Sequence, residues 1–267
     1  MVFVVSVSTG LFTGIPSTKK PYHAALDRQT VNRYVETGSE CVMEERSVAI
    51  DGPAGAGKST LARMASRHRG LIYVDTGALY RCIGLYALRN NVASKDAAGV
   101  AALLPRIKIE MKYDADGVQR MLLNGEDVTD EIRLPEVSGY ASDVSAMQPV
   151  RDRLLSMQQD MAANHDIIMD GRDIGTVVMP NAGLKVFLTA AVETRARRRY
   201  LELLEKNIET TYDEVLRDIS LRDKNDAERE AAPLKPAEDS VTLDTTDLDL
   251  EESFKALCAL IEKRFDL

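Results

Sequence analysis

The sequence predicts an α/β protein with a parallel sheet flanked by helices, and three observations support that prediction. From Ser47 onward, short apolar runs alternate with longer stretches of helical period, the signature of parallel strands joined by crossover helices. The runs are continuously apolar, as strands covered on both faces should be. One of them, Val48-Ala49-Ile50, leads into Gly52-Pro53-Ala54-Gly55-Ala56-Gly57-Lys58-Ser59, and the helix-forming Thr60-Leu61-Ala62-Arg63-Met64-Ala65 follows. Strand, glycine-rich loop and helix in that order prepare a sheet edge to hold an anion.

Taken in chain order, the candidate core strands are 47–51, 71–74, 167–170, 184–188 and 240–243, giving a five-stranded sheet. Helices are expected over 58–68, 78–88 and 254–264, the last with its apolar residues on one face. Residues 105–134 break the rhythm. Arg106-Ile107-Lys108-Ile109-Glu110-Met111 alternates with period two, Asp116-Gly117 supplies a hairpin turn, and Val118-Gln119-Arg120-Met121-Leu122-Leu123 returns. Asn124-Gly125 and a segment through Ile132 add a third strand to this small antiparallel insertion. Helical stretches at 135–147 and 150–164 lead back to the core, and a charged helical arm occupies 193–232.

Residues 1–42 show no sustained period, and a second methionine, Met43, stands just before Glu44-Glu45-Arg46 and the first strand. The expectation is a poorly ordered extension or an upstream start-site artefact. Val2-Phe3-Val4-Val5 is too short, and lacks the preceding basic residues, for a secretory signal. An intact mass beginning at Met43 would exclude a functional extension.

Composition narrows the function classes. A hydrophobic fraction of 45% with 28% charged residues fits an ordinary globular domain, and no apolar run approaches the ~20 residues of a membrane span. A net charge of −8 and a pI near 5.1 oppose the broadly basic footprint of a nucleic-acid binder. Cys41, Cys82 and Cys258 are few and widely spaced, which predicts reduced thiols in a cytoplasmic protein with no disulfide framework or zinc site. The three histidines, His23, His68 and His165, argue against a histidine metal centre.

The motif at 52–59 is a complete G-x-x-x-x-G-K-[ST]. Its glycines let backbone N–H groups curl around phosphate oxygens, Lys58 reaches the β- and γ-phosphates, and Ser59 offers its hydroxyl to Mg²⁺. The competing possibility, a glycine-rich turn that binds nothing, does not explain the strand before it and the helix after it.

Three further segments point to a second anionic ligand. Asp75-Thr76-Gly77-Ala78-Leu79-Tyr80-Arg81 begins where the second strand ends, at the sheet edge where ligands bind. Asp170-Gly171-Arg172-Asp173 closes another core strand. There Arg172 suits a phosphate and Asp173 an amino group on a base. In the arm, Arg222, Asp226 and Arg229 fall at i, i+4 and i+7 on one helix face, where plain surface salt bridges are the alternative. Arg195, Arg197, Arg198 and Arg199 wrap much of a helix, so only one or two of them, Arg195 with Arg198 or Arg199, are expected to face transferring phosphates.

From about Glu45 to Phe265 the chain resembles bacterial cytidylate kinase, a P-loop nucleoside monophosphate kinase. The resemblance rests on GPAGAGKST at 52–60, DTGALYR at 75–81, NGEDVTDEIR at 124–133, SDVSAMQPVR at 142–151, DGRDIGTVV at 170–178, and the arm from Arg222 through AAPL at 231–234, all in collinear order. It implies a P-loop NTPase fold over 43–267. The core would be 43–104 and 166–267, with an NMP-binding insertion at 105–165 and a lid at 193–232. ATP phosphates would lie on Gly52 through Ser59 and Thr60. Arg81, Arg172 and Arg229 would grip the acceptor phosphate, Ser142, Arg151 and Asp173 would read cytosine, and Arg222 and Asp226 would contact the sugar. Thr76 stands where many relatives have serine and keeps the hydroxyl.

The activity so implied is transfer of the ATP γ-phosphoryl group to CMP or dCMP, with Mg²⁺ as cofactor. Lys58, Arg172, Arg195 and Arg198 would stabilise the transferring charge. A monomer that acts on neither nucleic acid nor membrane is the accompanying expectation. The alternatives are another P-loop small-molecule kinase, for a different monophosphate or for shikimate, and a nucleotide-dependent switch. The paired arginines and the antiparallel insertion disfavour the first. No guanine-reading N-K-x-D element supports the second.

Overall fold

The computed structural model describes residues 46–115 and 117–266. The expected extension at 1–42, with Met43, Cys41 and His23, and the turn residue Asp116 lie outside the described residues.

Strand β1 (Ser47–Asp51) leads through the glycine-rich loop into α1 (Lys58–Arg69), and β2 (Ile72–Asp75) passes directly into α2 (Thr76–Arg89). A short helix, α3 (Ala97–Leu103), precedes an antiparallel sheet of β3 (Ile109–Tyr113), β4 (Gln119–Leu123) and β5 (Glu126–Asp127). Helices α4 (Pro135–Val144) and α5 (Gln148–Ala162) bring the chain back to β6 (Ile167–Gly171) and then β7 (Leu184–Thr189). Helices α6 (Val192–Glu205) and α7 (Tyr212–Glu228) form the charged arm, followed by β8 (Val241–Asp244) and α8 (Leu250–Phe265).

The main sheet has the order β2-β6-β1-β7-β8, and every neighbouring pair in it is parallel. Register aligns Asp51 with Gly171 and Asp75 with Asp170, so β1, β2 and β6 end together at one edge. Sequence expectation and structure differ here by one or two residues at strand ends. Helix α3 was not expected, because Ala-Ala-Gly-Val-Ala-Ala-Leu has too little apolar contrast to show a period. It starts because the Asp96 carboxylate accepts from the Gly99 N–H at 2.9 Å.

Alternation along β1 serves both faces. Val48 and Ile50 pack with Leu61, Ala62 and Ala65 of α1 and Leu257 and Ile261 of α8, whereas Ala49 joins the opposite core. That opposite core is shared with the insertion, since Met111, Met121, Leu123 and Ile132 pack together with Leu79, Ile83 and Leu85 of α2. The arm is held differently: Ala196, Leu203, Val215 and Ile219 form a small cluster of their own between α6 and α7. Helix α7 is further fixed by a capping box, in which Thr211 and Glu214 satisfy each other's backbone N–H groups. Cys82 and Cys258 are free and buried. No helix among the described residues is long and apolar enough to cross a membrane.

Candidate active site

The glycine-rich loop is shaped by close packing. Gly52 has φ +150°, and a Cβ there would sit 1.9 Å from the Leu188 carbonyl oxygen on β7. Gly57 starts α1 in the left-handed region with no side-chain cap, so the positive end of that helix stays available to an anion. Lys58 is buried and donates to the Pro53 carbonyl at 2.7 Å. Burial, followed by the charge of Arg172, pulls its ammonium down to about 7, against the opposing pull of Asp170, Asp226 and Asp51.

Ser59 donates to one oxygen of Asp170 at 2.8 Å, and the Tyr73 hydroxyl donates to the other at 2.8 Å. Burial and then the neighbouring Asp75 raise the Asp170 carboxyl above its usual range. Asp51, at the end of β1, accepts from the backbone N–H groups of Ile174 and Gly175 at 2.7 Å each. Those residues open a wide helical turn at Ile174–Val178. Burial lifts the Asp51 carboxyl to about 6.

A cleft of about 1360 Å³ runs from this loop past Arg81, Arg133, Arg172 and Arg222. Asp75 organises part of that basin. It caps α2 through the Ala78 N–H at 3.0 Å and lies 2.7 Å from Arg133 and 3.7 Å from Arg81. Burial opposes the Asp75 charge, but Arg133 and then Arg81 hold the carboxyl below its ordinary value. Arg172 donates to Asp226 at 2.7 Å. Arg81 Nη1 and Arg222 Nε are buried with no hydrogen-bond partner among the described residues. Burial, then Arg172 and Arg81, pull the Arg222 guanidinium down to about 10.

Two of the expected base-reading residues, Arg151 and Asp173, meet in a buried ion pair that Arg229 joins. Arg151 donates to Asp173 and also to the Ser145 carbonyl at 3.1 Å, and Arg229 reaches Asp173 at 3.5 Å. Ser142 is half-buried on α4, where its carbonyl accepts from Ser145. Thr76 donates its hydroxyl to the Asp170 carbonyl at 2.8 Å and so ties β2 to β6.

The arm arginines separate by face. Arg197 is exposed, and Arg199 pairs with Glu202 at 2.8 Å on the cleft wall. Arg198 also lines the cleft, donating to Thr245 and to the Leu248 carbonyl. Arg195 is committed elsewhere. It is buried and donates to the carbonyls of Ala190 and Ala54 and to Asp223. Sequence reasoning missed Asp170, Arg133 and Asp223. Asp170 had a signal, since it stands at the carboxyl end of a core strand; the other two are placed only by long-range packing.

Across residues 48–263 the chain matches the cytidylate kinase family model. This chain belongs to the cytidylate kinase family. The cytidylate kinase of Caldicellulosiruptor bescii is 49% identical over 221 residues, covering 83% of this chain and 97% of that protein. Those of Lactobacillus johnsonii and Thermosipho melanesiensis are each 45% identical. They cover 81% and 82% of this chain, and 94% and 98% of their own lengths. Membership fits the geometry, since a single cleft joins a phosphate-binding loop to a basin of guanidinium groups.

Proposed function

We propose that the chain transfers the γ-phosphoryl group of ATP to CMP or dCMP, giving ADP and CDP or dCDP. The observation that supports it best is the cleft itself, where the loop with Lys58 faces Arg81, Arg133, Arg172 and Arg222 across one space. Two phosphorylated substrates need two sets of cationic groups, and in-line transfer between them needs positioning and charge stabilisation more than covalent chemistry. The acceptor is already an anionic phosphate oxygen, so no histidine or serine base is required.

In this proposal the segment 52–60 cradles the ATP phosphates. Arg81, Arg172 and Arg229 hold the acceptor phosphate, Ser142, Arg151 and Asp173 read cytosine, and Arg222 and Asp226 meet the sugar. An amino donor beside the N3 and O2 acceptors of cytosine is complementary to a carboxylate, a hydroxyl and a guanidinium. The insertion at 105–165 serves the acceptor, and the arm at 193–232 acts as a lid whose closure excludes water from ATP. Arg198 and Arg199 both line the cleft on that arm, which supports a role for Arg198 toward the donor phosphates.

The donor set also fits Mg²⁺. Among the described residues no group of three or more His, Cys, Asp or Glu could hold a metal alone, but Ser59 and Asp170 present hard oxygens side by side. Magnesium sites in such folds use a loop Ser/Thr and a strand-end Asp, completed by water and substrate phosphates. When bound, the ion would neutralise charge on the β- and γ-phosphates.

An ADP-release assay with CMP, dCMP, UMP and AMP as acceptors tests the proposal. ATP-dependent turnover should be fastest with the cytosine nucleotides. Equal or faster turnover with AMP or UMP would assign the chain a different acceptor, and no turnover with any would remove the activity.

A further inference from the structure

Asp223, on α7, has no role in the site as described so far, yet both of its carboxylate oxygens are engaged. One accepts from the Ala54 backbone N–H at 3.3 Å, and the other accepts from Arg195 Nη1 at 2.6 Å. The same Arg195 nitrogen donates to the Ala54 carbonyl at 2.9 Å, while Arg195 Nε donates to the Ala190 carbonyl at 2.8 Å. One acid from α7 and one base from α6 therefore grip both polar groups of a single loop residue, as a neighbouring strand would. The next residue is pressed by the same two helices. A Cβ on Gly55 would lie 3.2 Å from Arg195 Cβ and 3.4 Å from Ile219 Cδ1.

The consequence follows from peptide geometry. In a trans peptide the carbonyl of one residue and the N–H of the next point in opposite directions. With the Ala54 carbonyl bound outward by Arg195, the Gly55 N–H is turned away from the clamp, toward the inner side of the loop. A flipped Ala54–Gly55 peptide would instead aim a carbonyl oxygen at an incoming phosphate.

We propose that Asp223 is a positioning residue for the donor nucleotide: through Arg195 it fixes the Ala54–Gly55 peptide in the orientation that receives phosphate, and it ties the arm to the loop. This rests on the assignment of residues 52–60 to ATP. Arg195, expected to meet the transferring phosphate directly, here acts from behind the loop.

Titration calorimetry on the full chain, with ADP and with CMP separately, tests it in wild type, Asp223→Ala and Asp223→Asn. Losing a charge-assisted contact of this kind should weaken ADP binding about tenfold in Asp223→Ala and leave CMP binding within about twofold. Asp223→Asn keeps an acceptor for the Ala54 N–H and should fall between them, which also keeps the test alive should the alanine variant not fold. Adding Asp223→Ala to Arg195→Met should weaken ADP binding by less than Asp223→Ala does in the wild-type chain. Wild-type ADP affinity in Asp223→Asn and Asp223→Ala, with only a lowered melting temperature, would make the pair a structural brace and overturn the proposal. Tighter ADP binding would overturn it too, by marking the carboxylate as a competitor of phosphate. A wild-type chain that binds no ADP would instead overturn the assignment of the loop itself.

Discussion

Raising the pH from 7 to 8.5 should weaken ADP binding, and Lys58 supplies the magnitude. Its ammonium sits at about 7 in the free protein because it is buried and faces Arg172. A polyphosphate placed against it supplies the missing counter-charge and returns the group toward an ordinary lysine value, near 10.5. Between those values the free protein is largely unprotonated at Lys58 and the complex is protonated, so binding takes up a proton. The uptake should be about 0.5 proton at pH 7 and about 0.9 at pH 8. Integrated to pH 8.5, affinity falls about fifteenfold, or about 1.6 kcal/mol. Stopping there avoids Arg222, whose guanidinium is pulled to about 10. Calorimetry in two buffers of different ionisation enthalpy reads the proton count directly, and Lys58→Arg, charged throughout, should show none. Uptake below about 0.2 proton at pH 8, or equal uptake in Lys58→Arg, would refute the reasoning. The protein without nucleotide should show the opposite dependence on pH. The folded value lies below the unfolded one, so the unfolded chain holds more protons between pH 7 and 10.5. Lys58 should therefore make the free protein more stable as pH rises through that window, opposite to the trend in ADP affinity.

Five other outcomes are expected. Asp51→Ala leaves the Ile174 and Gly175 N–H groups without their carboxylate and should cost about 3 kcal/mol by urea unfolding. Gly52→Ala forces a Cβ onto the Leu188 carbonyl and should cost about 3 kcal/mol or more, visible as a lowered thermal midpoint. Ser142→Ala should reduce the CMP-over-UMP ratio of kcat/KM about tenfold without loss of stability. Asp173→Ala should lower both that ratio and the stability, because it strands Arg151 as a buried, unpaired charge and leaves Arg229 only Asp226 at 4.0 Å. Arg133→Met should raise the KM for CMP about fivefold while leaving the KM for ATP unchanged in steady-state assays, since Arg133 stands with Arg81 on Asp75.

What could be read from the chain was whatever local order encodes. Val48-Ala49-Ile50 before a glycine loop names a strand, a turn and a helix start, and the structure places them at Ser47–Asp51 and Lys58–Arg69. Arg172 and Asp173 were visible because they follow Ile167-Ile168-Met169, a run that can only be a buried strand ending at the ligand edge. Helical period showed that Arg195, Arg197, Arg198 and Arg199 wrap much of α6 and cannot all face one ligand. It could not show which side meets the loop, and the contact that decides it joins Arg195 to Asp223 across two helices. Arg133 was hidden for the same reason, as nothing near it in sequence announces Asp75.

The arrangement of charge explains how so acidic a chain can hold two anions. Most guanidinium groups at the site already have carboxylate partners: Arg172 has Asp226, Arg151 and Arg229 share Asp173, and Arg195 has Asp223. A phosphate reaching those groups must exchange with an acid, so its gain is the difference between two ion pairs. Arg81 Nη1 faces Asp75 only at 3.7 Å, and Arg222 Nε is buried with no hydrogen-bond partner among the described residues. Burial holds both groups below the ordinary arginine value, with Arg172 lowering each further. CMP bound beside Arg222 would give that nitrogen a partner without displacing a carboxylate from it, so Arg222, the proposed sugar contact, should contribute more to CMP affinity than Arg172. Replacing Arg222 by methionine should therefore cost more CMP affinity than replacing Arg172, the reverse of what direct charge pairing with Asp226 would suggest. Comparing the two CMP dissociation constants by calorimetry decides the order, and a greater loss for Arg172→Met would show that the carboxylate-paired arginine, not the unpaired one, carries the larger share.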